Sequence, residues 1–179
     1  MSDTHLNSLV DSNISTLNAA SGLLEALPVD QFTRVQQPYF ESSLGKHLRH
    51  VLDHYLCFQR DYDSGLIDYD QRNRDCQLET DKDYALGVIS QLRLFFLELK
   101  ARAKVDQPLK VLMCNDVATP NGEITQSSLG RELQFMQGHS VHHYALMAAM
   151  MRFSGHPVND HFGVAPSTIV HKKTVKETA

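Results

Sequence analysis

Six histidines in two short stretches are the residues best suited to chemistry in this chain. His47, His50 and His54 fall within eight residues, and His139, His142 and His143 within five. The stretch around His139 and His143 reads as a helix. At that spacing the two rings are separated by about 40° in azimuth and about 6 Å along the axis. Two imidazoles so placed can ligate one metal ion, as they do in the helical HExxH zinc motif. That motif also needs a glutamate between them as base. Here Ser140, Val141 and His142 intervene, so a zinc-protease reading fails. Two ligands rarely suffice, and the second helix can supply a third from His47, His50 or His54. Three neutral histidines leave one coordination position open, the arrangement of catalytic rather than structural zinc. Imidazole also suits nickel, iron and copper, so the donor type leaves the metal open.

The elements that would carry these residues are helical. Leu9, Ile14, Leu17, Leu23 and Leu24 mark a first helix over 6–26, ended by Pro28. Residues 28–42 form a connector. Ser42 or Ser43 can cap a second helix reaching Tyr62, with an apolar stripe of Leu44, Leu48, Val51, Leu52 and Tyr55. On that wheel His47 and His54 flank the stripe and His50 lies further round, so periodicity favours His47 or His54 as the third ligand. The polar stretch 61–75 reads as loop or broken helix. A third helix over 81–104 buries Ala85, Val88, Ile89, Leu92, Phe95, Phe96 and Leu99. Leu109–Met113 is strand-like, and the Asn121-Gly122 turn signal before Glu123–Thr125 completes a small β-hairpin. Thr125, Ser127 or Ser128 can cap a fourth helix ending near Phe153, before Gly155 and Pro157. Its run YALMAAMM is apolar all round and predicts a central, buried helix. FGVAPST at 162–168 reads as an ordered loop, and 170–179 as a frayed tail.

The sum is an all-α fold: one domain over 1–179, a four-helix bundle with a crossover connection and a small β-hairpin between helices 3 and 4. Composition sets the remaining limits. The chain has 42% hydrophobic and 21% charged residues and a net charge of −4, with no basic stripe for nucleic acid. No apolar run is long enough for a bilayer, and no basic n-region marks a secretory signal. Three cysteines, Cys57, Cys76 and Cys114, form no CxxC pair, which fits a reducing cytoplasm. No Glu-x-x-His pair supports a ferritin-like di-iron site, and no CxxCH supports a c-type haem.

SLGKHLRHVLDHY on the second helix, together with GHSVHHYALMAAM on the fourth, resembles the DinB-like superfamily of metalloenzymes. The resemblance covers most of the chain in order and length. It implies a four-helix bundle with a crossover, commonly a homodimer, holding nickel or zinc on three histidines, with iron also admissible. It implies His50 as the second-helix ligand, because Val51, Leu52 and Asp53 follow it in the family pattern, and His139 and His143 as the fourth-helix ligands. His142 matches a frequent, usually non-ligating position. This chain reads HHYAL where the family commonly has HHRGQ, so no role of that Arg or Gln carries over.

Characterised members include bacillithiol and glutathione S-transferases and a mycothiol-dependent maleylpyruvate isomerase. The resemblance thus implies a divalent ion that activates a low-molecular-weight thiol or water for transfer or hydrolysis on a small molecule. His54 and Asp53 are candidates to orient an imidazole or take a proton, and Glu132 to act as a second acid near the site. The segment with Asp68, Tyr69, Asp70, Arg72 and Arg74 is a candidate mouth for an anionic substrate. The competing expectation is a non-catalytic metal-binding or dimerising bundle with a closed site.

Overall fold

The computed structural model describes residues 2–118 and 120–177 of the chain. Among them seven α-helices and a three-stranded sheet form in the order α1 (Ser2–Ala26), α2 (Val29–Thr33), α3 (Leu44–Asp61), β1 (Leu66–Asp68), α4 (Gln77–Thr80), α5 (Lys82–Arg102), β2 (Pro108–Met113), β3 (Glu123–Ser128), α6 (Leu129–Phe153) and α7 (Pro166–Glu177). No helix among the described residues is long and apolar enough to cross a membrane.

Three of the four long helices begin where short polar side chains can satisfy orphan N–H groups. Ser43 accepts from the Lys46 N–H at 3.1 Å to start α3. Asp81 accepts from the Tyr84 N–H at 3.0 Å to start α5. Ser128 caps α6 by accepting from the Arg131 N–H. α1 packs against α5 and α6, and α3 packs against the same two helices. The expected stripe of α3 (Leu44, Leu48, Val51, Leu52 and Tyr55) is buried, as are Ala85, Val88, Ile89, Leu92, Phe96 and Leu99 of α5.

Four features differ from the sequence reading. The connector before α3 contains α2, which drops Phe32 into the core. The stretch read as loop contains β1, which pairs in parallel with β2 from Leu66 opposite Lys110 to Asp68 opposite Leu112. The expected hairpin, β2 with β3, therefore becomes a three-stranded sheet. YALMAAMM is not surrounded: Tyr144, Met147, Ala148, Met150 and Met151 are buried, while Ala145, Leu146 and Ala149 face outward. α6 has its main neighbours on two sides only, and small alanines on the outer face cost little there. Finally, the expected frayed tail is mostly α7, an exposed helix opened by Pro166, whose fixed φ and missing N–H suit the first helical position. Thr178 and Ala179 lie outside the described residues.

Candidate metal centre

α3 and α6 pack so that the His50 face of one meets the His139/His143 face of the other. One donor atom from each of these three residues lies within 4.8 Å of the other two. Ring centroids are 5.0 Å apart for His50 and His139, and 4.6 Å for both His50–His143 and His139–His143. A tetrahedral ion with Zn–N bonds near 2.05 Å sets its donors about 3.4 Å apart, so small ring rotations would close the set. Three histidines are thus positioned to hold one metal ion.

The rings are in the charge state a metal requires. Burial pushes His50 and His139 down to about 3, with the neighbouring histidines adding to the shift. Burial, then His47 and His142, bring His143 down to about 4. All three imidazoles are neutral at pH 7, with a lone pair each. Nε2 of His139 is buried and has no hydrogen-bond partner. A native core rarely leaves such an atom orphaned, and a cation would satisfy it. The residues present fit a divalent ion.

Around this triad the other candidates take distinct places. His54 is buried, and its ring centroid is 4.1 Å from that of His139. Its Nδ1 donates to the His50 carbonyl at 2.8 Å, which leaves Nε2 with the lone pair in the neutral ring. His47 sits on the other flank, Nδ1 to Nδ1 at 3.3 Å from His143. His142 is exposed beside His143. The wheel preference for His47 or His54 over His50 does not match the group whose donor atoms all lie within 4.8 Å of one another, which contains His50 and neither of the other two. The stripe marks what α3 buries against the whole core, whereas the donors gather where α3 meets α6 alone.

The two carboxylates are engaged elsewhere. Asp53 is buried, and its carboxyl accepts the Arg74 backbone N–H among the guanidiniums of Arg49, Arg72 and Arg74. Burial raises its pKa against the pull of those cations. Glu132 is also buried. It accepts from the Tyr69 hydroxyl at 2.7 Å and from the Ser127 hydroxyl. It reaches the site through Tyr69, whose ring stacks on His54 at 5.6 Å.

Phe135 was not singled out by sequence, yet it packs on His54, Tyr69 and His139. Its signal was available: 135, 139 and 143 share one helix face at i, i+4 and i+8. Arg72, foreseen only as part of a mouth, has its Nη1 3.0 Å from Nδ1 of His50.

A cavity of about 690 Å³ lies elsewhere, between α1, α6 and residues 157–169, and none of the three donors lines it. Its lining is largely apolar and holds no comparable donor set among the described residues. A smaller cavity of about 250 Å³ is lined by Tyr69, Glu132 and Phe135 together with β2 and β3.

The DinB family model matches residues 1–163. The chain belongs to the DinB family. Among curated proteins, the FK506-binding protein 5 of Rhizopus delemar is 34% identical over 108 residues, 60% of this chain. The match spans only 28% of that protein's length. No solved structure matches. As a DinB-family chain with three clustered histidines, it fits a metalloprotein superfamily.

Proposed function

We propose that this chain is a divalent-metal-dependent enzyme in which His50, His139 and His143 hold one ion, zinc or nickel first and iron next. The bound ion would lower the pKa of a small thiol or water at the open position and polarise a substrate carbonyl. The reaction class is thiol S-transfer or hydrolysis on a small molecule. The observation that carries this reading is the set of three neutral imidazole donors, one of them with a buried nitrogen lacking any partner.

The chain's own residues have separable tasks. His54 keeps its Nε2 lone pair because Nδ1 is fixed on the His50 carbonyl, so it is the group placed to accept a proton. Tyr69 and Phe135 wall the site on the His54 and His139 side and limit water there. Glu132 positions Tyr69, and Asp53 positions the arginine-bearing segment. The frame is read as one domain, a four-helix bundle of α1, α3, α5 and α6 with the sheet segment in the crossover from α5 to α6. A cytoplasmic setting agrees with the free thiols of Cys57 and Cys76. A homodimer is the proposed assembly. The Tyr39 and Phe153 rings meet in a tilted contact at 4.7 Å while both stay largely exposed, which marks one face for it.

A non-catalytic metal-binding bundle is the second reading. It is favoured by the cavity lined by Tyr69, Glu132 and Phe135, which none of the three donors reaches. Metal content by plasma mass spectrometry, on tag-free protein and on a His50→Ala, His139→Ala, His143→Ala triple variant, tests the shared premise. About one ion per chain in the parent and none in a variant of equal helical circular dichroism supports it. Near-zero metal in both after reconstitution sinks it. Turnover of thiol and electrophile pairs by the loaded protein then separates enzyme from binder.

A further inference from the structure

The guanidinium of Arg72 is a half-buried cation without a counterion in direct contact. Its one hydrogen bond, from Nη1, goes to Nδ1 of His50 at 3.0 Å. Nε is buried and has no partner. The nearby carboxylates are committed: Asp53 accepts the Arg74 N–H, Asp70 accepts the Cys114 N–H, and Glu79 pairs with Arg49 at 2.6 Å. Among the described residues, none of them forms an ion pair with Arg72. A desolvated cation whose direct contact is a ring nitrogen, with Asp53 nearby but not paired with it, is stabilised by an incoming anion.

The Arg72–His50 contact also excludes a metal–His50 bond. A guanidinium only donates, so Nδ1 of His50 must present its lone pair to Arg72, and Nε2 of the neutral ring then carries the proton. If His50 binds metal through Nδ1, Arg72 is displaced from that lone pair. If it binds through Nε2, Nδ1 becomes an N–H facing the Arg72 N–H, and Arg72 must again turn away. Either tautomer frees the guanidinium beside the ion.

The backbone need not move for this. Around Arg72 it is pinned: the Arg72 N–H donates to the Asp70 carbonyl at 2.9 Å, and the Gln71 N–H to Asp68 Oδ1 at 3.1 Å. The Gln71 carbonyl accepts from Arg60 and from the Cys57 thiol. Arg74 holds a left-handed φ of 51°, with its N–H on Asp53. A fixed segment with one releasable side chain suits recognition.

We propose that Arg72 is the substrate-recognition residue of this site and selects a small molecule bearing a carboxylate. In the loaded protein the released guanidinium receives that carboxylate in bidentate fashion, while the reacting end of the molecule reaches the open coordination position. The assignment rests on the three-histidine metal reading.

Cobalt(II)-loaded protein gives a visible band that reports ligands at the ion. Titration with succinate and with its monoamide, succinamate, isolates the second end of the probe: both bring one carboxylate to the metal, and only succinate brings another to Arg72. The parent should bind succinate about tenfold more tightly than succinamate, the worth of one bidentate ion pair. In Arg72→Met the ratio should fall to near one, with succinamate affinity little changed. Arg72→Lys, which keeps the charge and loses the fork, should fall between and decides the matter if the Met variant loses its helical circular dichroism. An equal ratio in the parent and the folded variants overturns the assignment while leaving the metal reading intact. No cobalt band in the parent overturns both.

Discussion

Two polar clusters lie on neighbouring faces of α6, and they are built on opposite terms. On one face Ser140 donates to the Met136 carbonyl at 2.7 Å and reaches the Tyr55 hydroxyl at 3.3 Å. Tyr55 donates to Asn13 at 2.9 Å, and Asn13 donates to the carbonyls of Leu9 and Leu133. That network is buried and satisfied, and it ties α1, α3 and α6 together. One residue round the helix, His139 presents a buried nitrogen to nothing, amid rings that cannot easily be charged. A satisfied network is architecture. A cluster of neutral donors in which a buried nitrogen is left without a partner is a place for something else, and the contrast separates frame from site within one helix pair.

The comparison can be broken most directly at the histidines. Removing His50, His139 and His143 together should take metal binding from about one ion per chain to none, read by mass spectrometry, with the helical signal intact. If the triple variant instead unfolds, the rings belong to the frame and the contrast collapses.

Acid is the next largest perturbation. The three rings have folded pKa values of about 3 to 4, against 6.5 for the free residue. Above 6.5 both folded and unfolded chains hold these rings neutral, and they contribute nothing to the pH dependence. Below 6.5 the unfolded chain takes up protons that the folded one refuses, so stability falls as pH drops from about 6.5 toward 3. Thermal unfolding of metal-free protein between pH 7 and 4.5 should show this fall, and the triple alanine variant should flatten it. An equally steep fall in the variant would trace the acid sensitivity to other groups.

On the frame side, Asn13→Ala leaves the Tyr55 hydroxyl and the Leu133 carbonyl without their buried partner and should cost about 3 kcal/mol in urea unfolding. Metal stoichiometry should not change. A loss of metal here would show that the two clusters act as one. Ser43→Ala removes the α3 cap and should cost about 1 kcal/mol, the smallest effect, again with metal retained.

Much of this was legible in the residues. The ends of α3, α5 and α6 follow from Ser43, Asp81 and Ser128, and the buried stripes follow from helical spacing, because these depend on contacts within a few residues. Asn121-Gly122 announced the β2–β3 turn. Pro166 offered a helix start that the polar tail obscured. β1 could not be seen, since three residues become a strand only by pairing with β2 some forty positions on.

The site divides in the same way. The sequence by itself determined that α6 presents His139 and His143 on one face with Phe135, and that α3 carries three histidines within two turns. The family pattern had already pointed to His50, which the fold brings within 4.8 Å of the α6 pair; only the tertiary structure decided that His54 is held on a backbone carbonyl, that Asp53 and Glu132 are tied to Arg74 and Tyr69, and that Arg72 lies on His50. Helical periodicity fixes directions about one axis. Which donors converge depends on the rotation and offset between two helices, and those are set by packing over the whole core.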